Sequence, residues 1–247
     1  MRNIKLTIQY DGTNYHGWQV QSNADTIQGR ILSALAMMLK NDAITCTGAS
    51  RTDAGVHAIG QTLNFHIPTE NPISCHALYR GLNSLTPEDI FITHVREAAP
   101  DFHSRFDARA KTYCYQVMNA PTSSVCHHRF SWHIRRPLRL DAMRAASKHL
   151  LGCHDFASFQ ASSCSSETSI RTVFGLHIFQ DKEIIRCFIK ANAYLHRMVR
   201  NIVGTLIEVG LERRTSDDMG EILRGKDRCL AGITAPAKGL FLVKVHY

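Results

Sequence analysis

Two successive sets of strand-like and helix-like patterns constrain the fold more than any other feature of these 247 residues. Residues 4–10 alternate apolar and polar side chains and predict a strand. Residues 26–40 repeat apolar side chains at helical spacing, and Asp25 is the expected N-cap. Further strands are predicted at 43–48, 61–67 and 89–95, and a helix at 74–85. The first half therefore has the order β-α-β-β-α-β.

The second half repeats this order. Its predicted strands are 111–118, 172–179, 183–190 and 239–247, and its predicted helices are 140–151, 195–210 and a short one near 216–224. The two middle strands form a hairpin around Gln180-Asp181-Lys182. The repeat predicts an α+β fold of two duplicated ferredoxin-like (RRM-like) halves, residues 1–105 and 106–247, with antiparallel sheets meeting at a central basic cleft. The basic segment 119–138 is the expected connector.

The charge balance favours a polyanionic partner. Lysine and arginine number 29 against 21 acidic residues, which gives a net charge of +8, and the pI is near 9.2. Nucleic acid is the simplest such partner, although composition alone does not separate RNA from DNA or acidic lipid. No apolar run approaches the roughly 18 residues that a membrane span needs, and the first residues, MRNIKLTIQYDG, lack the unbroken apolar core of a signal peptide. A soluble, cytoplasmic protein is expected.

The cysteines and histidines do not form a familiar metal-binding pattern. Cys153 and Cys164, the closest of the eight cysteines, are 11 residues apart, and the fourteen histidines include no H-E-x-x-H. Cys46, Cys114 and Cys187 lie in strand-like apolar stretches and are expected to be reduced and buried. The sequence also lacks a P-loop, G-x-G-x-x-G and G-x-S-x-G. We therefore expect neither a metal nor an organic cofactor.

The segment Gly48–Gln61, GASRTDAGVHAIGQ, is the strongest candidate for a catalytic loop. Small residues surround Arg51, Asp53 and His57, so the backbone can approach a ligand closely and the Asp53 carboxylate is presented. Arg51 could contact a phosphate or a base, and an arginine from elsewhere in the fold could keep Asp53 ionised. The structural alternative is an Asp-capped loop with a surface salt bridge.

Three other segments carry side chains suited to RNA. Tyr10–Gln21 contains an Asp-Gly turn and three aromatic residues, which predict a small aromatic cluster. Phe102–Tyr115 interleaves basic and aromatic residues, as suits stacking on unpaired bases, although Tyr113 and Tyr115 on one strand face are also an ordinary core pattern. Arg200 lies on an otherwise apolar helix and needs an acidic partner. The residues alone indicate an RNA-binding protein that acts on a base.

Six stretches, in order, carry a resemblance to a known family. They are YDGTNYHGWQVQ, GASRTDAGVHAIGQ, FDARAKTYCY, HDFASF with SIRTV, HRMVRNIVGTLIEVG, and TAPAKGLFLVKVHY. The chain resembles the tRNA pseudouridine synthase A family nearly end to end. The resemblance implies an isomerase that converts uridine to pseudouridine at tRNA positions 38, 39 and 40, in the anticodon stem-loop. It also implies a homodimer that needs no cofactor.

The same resemblance assigns roles to five residues. Asp53 matches the catalytic nucleophile, and Tyr113 matches a tyrosine that stacks on the uracil and is a candidate to take its C5 proton. Arg200 matches an arginine that pairs with the nucleophile. Arg51 matches an arginine that assists base flipping, and Leu240 matches an apolar residue against the uracil site. Two departures, Lys111-Thr112 before the tyrosine and Arg197 in place of a common histidine, concern RNA contacts.

Three other functions compete with this interpretation. A tandem RNA-recognition module shares the element order and the charge, but no RNP1-like string is found on the strands. A tRNA chaperone would bind without catalysis. A metal nuclease would use Asp11, Asp53 and Asp155, and would lose activity in a chelator.

Overall fold

The computed structural model describes residues 1–162 and 166–247, where ten strands and five α-helices form a mixed α+β fold. The predicted α+β class is confirmed. Cys164, which the cysteine spacing singles out, lies outside the described residues. The chain divides into two compact units. Unit 1 comprises Met1–Arg109 and Leu242–Tyr247, and unit 2 comprises Ala110–Phe241.

Unit 1 contains four strands and two helices in its first 98 residues. They are β1 (Arg2–Tyr10), α1 (Ile27–Leu39), β2 (Thr47–Gly48), β3 (His57–Ile67), α2 (Cys75–Leu85) and β4 (Ile90–Ala98). β1 pairs antiparallel with both β3 and β4, and β2 pairs with β3. Alternate residues of β1 (Ile4, Leu6 and Ile8) are buried with apolar residues of α1 and α2.

Two local predictions in unit 1 are wrong. Thr26, not Asp25, is the N-cap of α1: it has extended backbone angles, and its side chain accepts from the Gly29 N–H. The Asp25 carboxylate instead pairs with Arg30 at 2.6 Å. The strand predicted at 43–48 is reduced to two residues, because the carbonyl of Cys46 is bonded by the side chain of Gln28 at 2.9 Å.

The strands of unit 2 pair mainly antiparallel. The elements of this unit are β5 (Ala110–Asn119), β6 (Trp132–Ile134), α3 (Leu140–Lys148), β7 (Gly152–Asp155), β8 (Ile170–Asp181), β9 (Ile184–Ala191), α4 (Met198–Gly210) and α5 (Asp218–Gly225). The strand order is β5-β9-β8-β7, and β6 runs parallel to β5. The last strand, β10 (Leu240–His246), begins in unit 2 and continues in unit 1.

Several details of unit 2 differ from the predicted pattern. The short strands β6 and β7 are not predicted, and β6 lies within the supposed connector 119–138. The predicted helix 195–210 begins only at Met198, because Arg197 has a left-handed backbone with φ +60°. The hairpin turn consists of Lys182 and Glu183 and not of Gln180–Lys182, and Lys182 has φ +54°.

The predicted second half, 106–247, also differs from unit 2 at both ends. Residues 106–109 and 242–247 belong to unit 1. Backbone and side-chain bonds hold the C-terminal residues there: the Arg109 N–H donates to the His246 carbonyl at 2.8 Å, and the Tyr247 hydroxyl donates to the Ser104 carbonyl at 2.8 Å.

The burial of three cysteines follows the predicted strands. Cys46, Cys114 and Cys187 are all buried. Burial raises the pKa of Cys46 to about 11 and those of Cys114 and Cys187 to about 12, so these thiols are unreactive. None of the helices among the described residues is long and apolar enough to cross a membrane.

Lys5 of β1 is a buried cation in unit 1, 7% exposed. Its ammonium lies 3.6 Å from the ring centroid of Tyr247 and 4.3 Å from that of Phe102. Burial, together with the nearby Arg96, lowers the pKa of Lys5 to about 8, and Asp107 opposes this shift. The attraction of the ring faces for the ammonium also opposes it, but is smaller than the loss of hydration.

We expect Lys5→Met to flatten the pH dependence of stability between about pH 8 and pH 10.5. In this window the unfolded lysine keeps its proton and the folded one loses it, so the unfolded state binds more protons. The free energy of unfolding of the wild type should therefore rise with pH there. Urea titrations at both ends of the window measure the rise. The exposed Lys244→Met is the control, and an equal rise in wild type and Lys5→Met would contradict the prediction.

Candidate active site

Asp53 lies in the loop between β2 and β3, and this loop is fixed at both ends. At the start, the Ala49 N–H donates to the Thr62 carbonyl at 2.8 Å, and the buried Gln61 amide donates to the Ser50 carbonyl at 2.6 Å. At the other end, the Val56 N–H donates to the Asp53 carbonyl at 3.1 Å. Asp53 itself is half-buried, so the loop holds an aspartate that is neither fully enclosed nor fully exposed.

The aromatic segment Tyr10–Gln21 packs against the middle of this loop. The Trp18 N–H donates to the Thr52 carbonyl at 3.0 Å, and the Tyr10 hydroxyl bonds the Thr52 hydroxyl at 2.7 Å. The Gly55 N–H donates to the Tyr15 carbonyl at 3.3 Å. The predicted aromatic cluster is present, with the Tyr10 and Trp18 rings 6.2 Å apart. Its larger role, which the sequence pattern does not reveal, is to position the residues on either side of Asp53.

Two glycines make this close approach possible. A Cβ at Gly12 would overlap the carbonyl oxygen of Val56. A Cβ at Gly17 would lie 2.6 Å from the carbonyl oxygen of Thr52 and 3.1 Å from the carbonyl carbon of Asp53. Gly17 also has φ +93°, which L side chains rarely adopt. The backbone of the aromatic segment therefore reaches the Asp53 loop directly.

His57, the first residue of β3, holds the aromatic segment that packs on the loop. Its ring is 1% exposed, and Nδ1 accepts the Gly12 N–H at 3.0 Å. Asp11 Oδ1 lies 3.1 Å away and accepts the Thr13 N–H at 2.9 Å, which closes the predicted turn. His57 and Asp11 are positioning residues for the segment that holds the loop.

Arg51 and Asp53 differ in their surroundings although they are two residues apart. Arg51 is exposed, whereas Asp53 is half-buried and Thr52 between them is buried. A long flexible cation at the surface beside a fixed carboxylate can contact a phosphate or an extruded base. Of the predicted site residues, these two lie in unit 1, and Tyr113, Arg200 and Leu240 lie in unit 2.

Tyr113 lies on β5, directly opposite Ile189 of β9, and is 5% exposed. Its ring makes an edge-to-face contact with the ring of Tyr194, with centroids 5.0 Å apart. The Tyr194 hydroxyl lies 2.7 Å from the Ile189 carbonyl, and burial with Tyr113 nearby raises the pKa of Tyr194. Tyr194 is thus a neutral, fixed support for Tyr113 that the sequence pattern did not single out.

Tyr115, two residues further along β5, is the packing tyrosine of the pair. It is fully buried, and its hydroxyl donates to the Pro236 carbonyl at 2.7 Å. Burial raises the pKa of Tyr115 well above its ordinary value. Tyr115 therefore belongs to the core, and Tyr113, at 5% exposed, is also largely buried.

One segment of unit 2, residues 233–240, connects Arg200, Tyr115 and Leu240. Arg200 of α4 donates through Nε to the Ala235 carbonyl at 2.8 Å, and the Ala235 N–H donates back to the Arg200 carbonyl at 3.1 Å. Pro236 accepts from Tyr115, and Leu240, the first residue of β10, is buried. This segment therefore holds the Arg200 guanidinium through its Nε.

No group of three histidine, cysteine or acidic side chains in residues 1–162 and 166–247 is placed to hold a metal ion. Asp155, which a metal nuclease would use, is instead engaged within unit 2. Its carboxylate lies 3.1 Å from Lys226 Nζ and accepts the Ala157 N–H at 3.1 Å. Hydrogen bonding from Ser169 and Lys226 lowers the pKa of Asp155.

Comparisons with known proteins give the family. Residues 6–107 and 146–247 match the model of the family described as tRNA pseudouridine synthase. The chain is 42% identical to "tRNA pseudouridine synthase A" of Thermoanaerobacter sp. (strain X514), over 100% of both chains. It is also 42% identical to "tRNA pseudouridine synthase A 2" of Clostridium tetani, over 100% of this chain and 99% of the relative. The chain therefore belongs to the tRNA pseudouridine synthase family, whose members are isomerases.

Proposed function

We propose that this protein converts uridine to pseudouridine at positions 38, 39 and 40 of the tRNA anticodon stem-loop. Asp53 acts as the nucleophile, and the target base is flipped out of the stem. The observation that carries the assignment is the loop geometry: a half-buried aspartate on a backbone that Gly12, Gly17 and Trp18 hold in place. Preorganisation of this kind is what a covalent catalyst needs.

The chemistry is balanced without redox change. The bond between N1 of uracil and C1′ of ribose breaks, a bond between C5 and C1′ forms, C5 loses a proton and N1 gains one. A carboxylate can capture a fragment while the base turns. The exposed Arg51 is suited to occupy the gap that the flipped base leaves.

Tyr113 is proposed to stack on the uracil and to take the C5 proton. Replacing Tyr113 with phenylalanine keeps the ring and removes the hydroxyl, so tRNA binding should survive while product formation slows by about 10²-fold or more. Single-turnover rates measure the change. Tyr115→Phe is the matched control, since its hydroxyl only bonds Pro236: we expect about 1 kcal/mol less stability and a normal rate. Normal turnover by Tyr113→Phe would reject the proton transfer but not the stacking.

Arg200 and Leu240 complete the proposed set of reacting-site residues, Arg200 as a charge-stabilising cation and Leu240 as an apolar contact to uracil. Their support is the family resemblance and the bonding of segment 233–240, which fixes Arg200 through Ala235. Arg200→Lys keeps the charge but loses the planar guanidinium and its bidentate geometry. A marked loss of rate in that variant would support the proposed role of Arg200 as a charge-stabilising cation.

We also propose that both units derive from one duplicated ferredoxin-like design. In unit 1 the antiparallel order is β2-β3-β1, with α1 between β1 and β2 in the chain. In unit 2 the order is β8-β9-β5, and α3 precedes β8. The two separate matches to the family model agree with this duplication.

The position specificity is tested with unmodified tRNA transcripts that carry uridine at only one of positions 38, 39 and 40. The proposal expects product at each of the three in turn. Product at none of them, from a protein that modifies uridine elsewhere in tRNA, would reject this specificity and keep the family reaction. Sedimentation of the protein alone tests the homodimer, and a metal-free, cofactor-free buffer tests the expected independence from cofactors. The cytoplasmic location rests on the resemblance and the sequence.

A further inference from the structure

One face of the unit 2 sheet carries aromatic rings beside basic side chains. The register sets Phe188 of β9 opposite His177 of β8, and Arg186 opposite Phe179. Side chains two residues apart along a strand share a face, so Lys190 lies on the same side. We call this set the aromatic–basic face: His177, Phe179, Arg186, Phe188 and Lys190. Residues of the opposite face are buried (Leu176, Ile178, Cys187 and Ile189).

Of the two phenylalanines of the aromatic–basic face, Phe179 is exposed and Phe188 is half-buried. Phe179 is 43% exposed, and its ring is nearly parallel to that of Phe188, at 7° with centroids 5.5 Å apart. Further along β8, the register slips between Val173 and Gly175, and Phe174 at this bulge is 54% exposed. Neighbouring exposed rings on a protein surface mark a contact site for a partner.

The charges around the rings are mainly positive. Lys190 and His177 are exposed and Arg186 is partly exposed. The acidic side chains nearby, Asp181 and Glu183, lie at the hairpin end of the two strands, and Asp181 is 3.5 Å from Arg186. An ion pair this exposed is weak, so it leaves the arginine available to another anion.

We propose that the aromatic–basic face binds unpaired nucleotides of an RNA substrate, with bases stacking on Phe179 and Phe188 and phosphates contacting Arg186 and Lys190. Aromatic platforms bordered by cations are the usual chemistry of single-strand binding. A second copy of the chain is a poorer occupant, because a two-fold contact would bring two positively charged patches together. The inference rests on the proposed function and adds a contact outside the reacting residues.

Phe179→Ala tests the stacking, with a fluorescent, unstructured oligoribonucleotide as the probe and anisotropy as the readout. Loss of one stacked base should weaken binding by about tenfold or more. Lys190→Ala should lower the slope of log affinity against log salt by roughly 0.7. The control is Phe91→Ala, which removes a ring of unit 1 that is 48% exposed and should leave both values unchanged.

Two results would overturn the proposal. One is unchanged affinity and salt slope in both variants. The other is a dimer that dissociates in Phe179→Ala, seen by sedimentation, while RNA affinity stays the same, because the face would then join two copies. Failure of the proposed reaction would appear instead as absence of pseudouridine from the wild type, whatever the binding data show.

Discussion

Replacing Asp53 with asparagine is expected to abolish pseudouridine formation, by at least about 10³-fold, while tRNA affinity changes only a few-fold. Asparagine has nearly the same shape, so the loop contacts of Thr52 and Val56 are kept and the protein should fold normally. What disappears is the anionic oxygen that would form the covalent bond. The rate is measured by release of tritium from C5-labelled uridine in tRNA, and affinity by filter binding.

Asp25→Asn is the matched control for this experiment. It removes a carboxylate from the same unit, where Asp25 pairs with Arg30 at the surface, and activity should stay near the wild-type level. Residual activity of Asp53→Asn within about tenfold of wild type would contradict the role of Asp53 as the nucleophile. A chaperone or a tandem RNA-binding module would show wild-type binding and no product from either protein, so the wild-type rate separates these alternatives from the enzyme.

Gly17→Ala carries the second large effect. Its φ of +93° strains an L residue, and the new Cβ would press on the Thr52 carbonyl oxygen at 2.6 Å. To relieve this clash, the loop that carries Asp53 must move by up to about 1 Å. Displacement of a catalytic group by about 1 Å costs on the order of 10²-fold in rate. We expect that loss in the single-turnover rate at saturating protein, together with a loss of about 1–3 kcal/mol in stability.

Gly152→Ala separates backbone strain from loop displacement. Gly152 has a similar φ of +99°, but the nearest atom to its new Cβ is His154 Nε2 at an ordinary 3.5 Å. The Gly152→Ala variant should therefore lose stability and keep the wild-type single-turnover rate. Equal rate losses in the two variants would show that strain alone, and not contact with the Asp53 loop, explains the effect of Gly17→Ala.

The sequence predicted strands and helices correctly where the periodic pattern of apolar residues was long. Alternation in β1 and helical spacing in α2 reflect which side chains are buried, and that is local information. The short strands β6 and β7 have three and four residues, too few for a periodic pattern. The start of α4 depends on one left-handed residue, Arg197, which is a backbone state that residue type does not reveal.

The candidate site divides in the same way. Asp53 and its small neighbours are visible in the sequence because presentation of a carboxylate needs small residues nearby. The supports of the site are contacts between residues distant in the chain: Trp18 with Thr52, Tyr194 with Tyr113, and Ala235 with Arg200. Only the tertiary structure brings such pairs together. For the same reason, the sequence did not show that Tyr115 is the packing tyrosine.

The most direct test of the account is pseudouridine mapping of an unmodified tRNA after incubation with the wild-type protein and with Asp53→Ala, without added metal or cofactor. We predict pseudouridine at positions 38, 39 and 40 wherever the tRNA carries uridine there, from the wild type alone. Absence of pseudouridine with both proteins, while each binds the tRNA tightly, would contradict the account.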